Sequence, residues 1–432
     1  MIQDFLNTHN FNLIQFLIVA IGYLMPIPLA YVAFHFWHHY RQERFIMGIK
    51  WVLLEIQVPR EVIKTPAAME LIFSNAFYHK SIKGFWEEFM IGAPWLWFSL
   101  EIVSIDGRVR FFVRTPSRIR DLVETQIYAQ YPQAKVVESE DYTLNVPQYT
   151  KDGDWNVWGC EFTKLKHDVQ PFRTYKQIDE LKSGTKEEYK IDPLTPTIEF
   201  MGSLAKGQQM WIQIVIRQSI KKYHSHATGK HVNFDTFAEE HIKDLLKPYT
   251  KVGVGQGLGG GNSLEVRAPS FLDPIIKQMV INLQQIHFDC GIRLVTLSDK
   301  KLISEDQFNN LRRNSRLVFR QFAQPYSNEL NRISPTQFDA PWSDPTGLAL
   351  TKLKKRMLNF YRMRTFFHPP IQYAVKYPAV FNMFFPSGKP QIFVLSNEEL
   401  ATLFHFPGMV SETPSFKRIE SKIAKPPSNL PI

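Results

Sequence analysis

Residues 13–37, LIQFLIVAIGYLMPIPLAYVAFHFW, contain no Lys, Arg, Asp or Glu. About 20 apolar residues of helix cross a hydrocarbon core roughly 30 Å thick, so this run predicts a transmembrane helix. Pro26 and Pro28 fall near its middle and predict a kink there. A hairpin that re-enters the same face is the alternative, with short arms. Before the run the charged residue is Asp4, whereas Arg41, Arg44 and Lys50 come after it. That asymmetry predicts residues 1–12 outside and the bulk of the chain in the cytoplasm, held by a single-pass anchor in the cell membrane. Trp37, Tyr40, Arg41 and Arg44 are the expected membrane-interface residues. A cleaved signal peptide would need a basic start and a small-residue cleavage site, and the sequence has neither.

The remaining pattern alternates strands and helices. WVLLEIQV (51–58) reads as a strand, and Thr65-Pro66 as the start of a helix. WLWFSLEIVSI (95–105) and RVRFFVR (108–114) flank Asp106-Gly107, the dipeptide suited to a two-residue hairpin turn. A helix after Thr115-Pro116 and a strand at AKVVE (134–138) complete a β-α-β-β-α-β order over residues 51–140, the split pattern of a ferredoxin-like domain. A second copy is expected over 151–330. Its strands are WNVWGCEFTKL, QMWIQIVIR and GIRLVTLS, and Ser304 with Gln307 opens a helix as a capping box. Residues 219–267 interrupt it as a basic and glycine-rich insertion. The fold class expected is therefore α+β: an N-terminal transmembrane helix followed by one or two ferredoxin-like βαββαβ domains. Residues 331–410 carry a basic helix and a strand–helix pair with a second capping box, Ser396 and Glu399, and 411–432 form a proline-rich tail.

Several chemistries find little purchase. Cys160 and Cys290 are the two cysteines, which excludes a disulfide scaffold or a multi-cysteine zinc site. The run KVGVGQGLGGGNS lacks the GxxxxGK[ST] spacing of a phosphate-binding loop and reads as flexible linker. His224, His226, His231 and His241 could ligate a metal, but a solvated loop explains them as well. No nucleophile-elbow pattern is present, so neither a catalytic residue nor a cofactor is assigned.

The formal charge of +10 favours anionic partners. Its densest expression is the helix at 348–364, where Lys352, Lys354, Lys355, Arg356, Arg362 and Arg364 interleave with Leu353, Met357, Leu358, Phe360 and Tyr361. These six cations are the candidate binding residues for DNA or lipid headgroups. An exposed helix face, or pairing with acids elsewhere in the fold, is the plainer account.

The stretches WVLLEIQVPREVIKTPAAMELIFSNAF, WLWFSLEIVSIDGRVRFFVRTPSRIRDLVETQIYAQYP and EELATLFHFPG…SKIAKPPSNLP resemble the membrane-proximal region of VirD4/TraG-like or HerA-like type IV conjugative ATPases from small-genome bacteria. The resemblance spans most of the chain and rests on strand, turn and linker residues. It implies an accessory subunit of a type IV secretion or DNA-translocation system that docks a separate VirD4/HerA-like ATPase, with DNA and further copies of the chain as other partners. A tethered lipid- or protein-binding scaffold, or an enzyme with an unrecognised site, are the alternatives.

Overall fold

A computed structural model of the protein describes residues 22, 25–59, 64–79, 83–180, 192–225, 229–253, 263–266, 272–323, 328–333, 335–338, 344–370 and 391–407. The segment 1–12, the glycine run at 254–262 and the proline-rich tail lie outside those residues.

The first helix, α1, spans Pro26–Met47. A proline falls in its first turn, where a missing N–H leaves no bond unmade. The helix then runs on through His38, His39, Arg41, Glu43 and Arg44. Its uncharged part, residues 26–37, is about 18 Å long at 1.5 Å per residue, well short of a bilayer core. No helix among the described residues is long and apolar enough to cross a membrane. This corrects the expected transmembrane helix over 13–37, of which 13–21, 23 and 24 are outside the described residues. The single-pass anchor and the outside/cytoplasmic placement fall with it. Trp37, Tyr40, Arg41 and Arg44, expected at a membrane interface, all lie on α1.

The chain divides into two compact units. The smaller comprises Met1–Ile49, Ser81–Pro94 and His368–Ser387. In it, Arg41 donates from Nε and Nη2 to the Met90 carbonyl at 3.0 and 2.8 Å, tying α1 to a π turn at Trp86–Ile91.

The larger unit is built on one nine-stranded antiparallel sheet. Its first half contains β1 (Trp51–Gln57), α2 (Ala67–Ile72), β2 (Trp97–Ile105), β3 (Arg108–Pro116), α3 (Arg120–Gln130) and β4 (Lys135–Glu138). Its second half contains β5 (Trp155–Lys164), α4 (Tyr175–Glu180), α5 (Thr195–Gly202) and β6 (Gln208–Gln218). An insertion comes next, with β7 (Tyr223–His224), β8 (His231–Val232), α6 (Phe234–Leu246), β9 (Thr250–Gly253), β10 (Ser263–Val266) and α7 (Asp273–Leu283). The half then resumes with β11 (His287–Asp299), α8 (Glu305–Ser315) and β12 (Leu330–Ile333), and closes with α9 (Leu348–Met363), β13 (Phe393–Ser396) and α10 (Asn397–Leu403).

The strand order is β12-β5-β11-β6-β2-β3-β1-β4, with β13 also on β11. Strands β4-β1-β3-β2 have the order of a split βαββαβ unit, and β12-β5-β11-β6 repeats it as a mirror of sequence position. The halves meet where β2 pairs with β6, from Trp97↔Arg217 to Ile105↔Gln209. The fold is thus α+β on a single shared sheet, not one or two domains strung behind a membrane helix.

Local chemistry accounts for the main turn. Asp106 and Gly107 both have positive φ, 53° and 77°, as a tight hairpin matched to strand twist requires. A Cβ on Gly107 would also stand 2.7 Å from the Leu204 carbonyl. One sheet face packs Leu54, Leu100, Phe111, Ile212 and Leu294 beneath α2, α3, α5, α8 and α10. The opposite face packs Leu53, Phe112, Trp211 and Leu297 beneath Tyr142, Tyr149 and the Met357, Leu358 and Tyr361 side of α9. Covering both faces explains why β11 is buried along twelve of its thirteen residues.

Candidate functional site

On the α9 side of the sheet a polar row crosses four strands. Glu101 on β2 faces Gln213 on β6, which faces Arg293 on β11, which faces Glu161 on β5. None of the four is more than 4% exposed. Each side chain holds the next. Arg293 donates to Glu161 Oε1 from Nη2 at 2.8 Å and to Gln213 Oε1 from Nη1 at 3.2 Å. Gln213 Nε2 donates to Glu101 Oε1 at 3.3 Å and to the Tyr361 carbonyl at 3.0 Å.

The segment leaving α9 closes over this row. Arg364 takes a left-handed backbone conformation at the C-cap of α9, φ 49°, which turns the chain back toward the sheet. Its guanidinium donates to Glu101 at 2.8 and 3.2 Å and also to both carboxylate oxygens of Asp141. Ser99 and Tyr142 complete the Glu101 carboxylate at 2.6 and 2.7 Å, and the Tyr142 and Tyr361 hydroxyls meet at 2.8 Å. Phe366 lies over the Arg293 guanidinium at 4.7 Å, in the space left by Gly291.

Burial alone would raise the Glu101 carboxyl. The Arg364 charge and the donated hydrogen bonds outweigh it and hold that carboxyl below its ordinary value. Burial likewise opposes the Arg364 charge, but Glu101 and Asp141 overcome it and keep the guanidinium well above its ordinary range. Burial, then the Glu101 charge, pushes both tyrosine hydroxyls far up, so they stay neutral. The arrangement is chemically a clamp: linked charges in a buried layer fix the α9 exit and the Asp141 segment on the sheet.

A second buried pair holds the far end of β11. Lys164 Nζ lies 2.8 Å from Glu399 Oε1 with both side chains fully buried. Glu399 is the capping-box residue of α10, so its carboxylate also accepts from the Ser396 backbone. Burial raises the Glu399 carboxyl despite Lys164.

The six cations singled out on α9 separate. Lys352 and Lys355 are exposed, and Arg356 is partly buried. Lys354 lies over the Tyr149 ring at 5.1 Å, and burial with Arg312 and Lys300 nearby brings its ammonium down to about 8. Arg362 turns to Gln148 Oε1 at 2.7 Å and to the Val146 and Pro147 carbonyls. Arg364 is 1% exposed. The last two therefore serve the fold's interior instead of an outward cationic face. Of the histidine cluster, His226 is outside the described residues. His224 and His231 face each other across β7–β8 with ring centroids 5.8 Å apart, whereas His241 lies beside His167, the rings tilted at 53° with centroids 4.6 Å apart. Among the described residues no group of three or more His, Cys, Asp or Glu side chains is placed to hold a metal.

The residues of the polar row escaped sequence reasoning. Their signal was a single charge within an otherwise apolar strand: Glu101 in WLWFSLEIVSI, Glu161 in WGCEF and Arg293 in GIRLV. No protein-family model matches the chain, and no curated protein matches it.

Proposed function

We propose that the protein is a non-enzymatic assembly subunit, a stiff platform that docks a separate VirD4/HerA-like ATPase in a type IV secretion or DNA-translocation system. The partner is the one the sequence resemblance implies. The observation that supports a platform is the junction of β2 with β6, which joins two βαββαβ halves into one sheet pinned on its α9 side by linked charges. Such a body transmits force without bending between halves. Its outer strands, β4 and β12, are short and hold equivalent positions in the two halves. An edge strand of this kind is a ready place for a partner strand to add. The test is co-purification of the full chain with a VirD4/HerA-like ATPase from the same cell, followed by titration. A complex at micromolar concentration is expected, and its absence there overturns the docking role.

A further inference from the structure

Beyond that reading, a half-buried arginine of the larger unit makes no ion pair among the described residues. Arg114, near the end of β3, sits opposite Leu53 on β1 and Ser99 on β2. Its guanidinium lies over the Trp51 indole, 4.3 Å from the ring centroid, and Trp51 rests against Trp97 at 5.0 Å. Among the described residues no hydrogen bond or ion pair takes up its N–H groups. The carboxylates it feels, Glu101 and Asp141, are already engaged by Arg364, whose like charge also reaches it. Burial first, and Arg364 second, bring the guanidinium down to about 10.

A partly buried cation with no acceptor is costly to fold around. Stacking on Trp51 occupies the guanidinium face and leaves the in-plane N–H fork open, the edge that grips carboxylate and phosphate with two parallel bonds. We propose that Arg114, held flat against Trp51, is a binding point for a small oxyanion group, a phosphate or carboxylate carried by a ligand. The half-buried Trp51 indole would line the apolar side of that ligand, with the buried Trp97 ring supporting it from behind. Arg110, on the same strand face and exposed, has no aromatic platform of this kind among the described residues and serves as the internal control.

The experiment is thermal unfolding and calorimetric titration of the full chain with inorganic phosphate and, separately, acetate, at constant ionic strength. At least one anion is expected to raise the midpoint saturably, and the anion that does so assigns the ligand group. Arg114→Met should abolish the shift, whereas Arg110→Met should keep it. Arg114→Lys, which keeps charge but loses the fork, should weaken binding about tenfold, and it carries the test if Arg114→Met does not fold. An equal shift in wild type and Arg114→Met, an undiminished affinity in Arg114→Lys, or no response of the wild type to either anion overturns the proposal.

Discussion

Arg364 and Glu101 meet across 263 positions of sequence, with Nε 2.8 Å from Oε1 and Nη2 3.2 Å from Oε2. Both are buried, so the bond joins the exit of α9 to the middle of the sheet through a layer sealed from solvent. The left-handed backbone at Arg364 brings the guanidinium there, and Trp97 Nε1 fixes that turn by donating to the Arg364 carbonyl at 3.2 Å.

Removing one partner leaves the other charged and buried. Glu101→Gln is expected to lower unfolding free energy by about 3–5 kcal/mol, measured by urea denaturation. The double variant Glu101→Leu with Arg364→Met should recover a large part of that loss. If the double variant is as unstable as the sum of Glu101→Leu and Arg364→Met measured separately, the pair is not coupled as described.

Gly291 makes room for the ring that covers Arg293. A Cβ there would come within 2.2 Å of the Phe366 ring, so Gly291→Ala should destabilise by about 1–3 kcal/mol. Gly84→Ala, with nothing within 4 Å of the added atom, should be near neutral. Paired denaturation curves decide it. Equal stability of the two variants would contradict the packing.

His405 should make stability depend on pH. Its ring donates from Nδ1 to the Ala401 carbonyl and from Nε2 to Asp192, both at 2.8 Å, so two acceptors call for the imidazolium. Burial opposes that charge, but Asp192 outweighs it and the folded value lies above the ordinary 6.5. A raised value stabilises fully below the unfolded pKa, and the gain is lost as pH rises through the folded one. His287 works oppositely: burial, then Lys164, brings it to about 4, so its contribution is lost as pH falls from 6.5 toward that value. The His405 effect is therefore read as a difference. Wild type minus His405→Gln should shrink as pH is raised above 6.5, and a difference flat with pH refutes the imidazolium.

The basic helix offers a comparison within one element. Arg362→Ala removes donors to Gln148, Val146 and Pro147 and should cost about 1–2 kcal/mol in denaturant titration. Lys355→Ala, on the exposed side, should leave stability unchanged. A larger loss at Lys355 would mean α9 lies on the sheet with a different face.

Strands with regular apolar spacing and turns with a fixed chemistry were legible in the sequence. Asp106-Gly107 marked the β2–β3 hairpin, and Ser304–Gln307 and Ser396–Glu399 are capping boxes in the structure. Periodicity cannot carry which strand lies beside which. Nothing in QMWIQIVIR says that β6 pairs with β2, and so nothing showed that two βαββαβ patterns would share one sheet. Pairing of the α9 cations with distant acids was an open alternative in the sequence, but which acids could not be read from it: the partners of Arg364, Glu101 and Asp141, lie far off along the chain. The uncharged stretch misled for a different reason. Two prolines placed mid-run in the sequence fall at the start of α1, and the helix soon becomes charged beyond them.

Where β2 meets β6, nine residues of one strand pair with nine of the other. Severing the polypeptide near residue 150 would strip both of their neighbour and bare two long rows of amide and carbonyl groups flanked by apolar side chains. Each fragment would then seek any strand at hand, its twin included. The halves are therefore obligate companions, and deletion mapping of function on this protein must keep residues 50 to 407 in one piece.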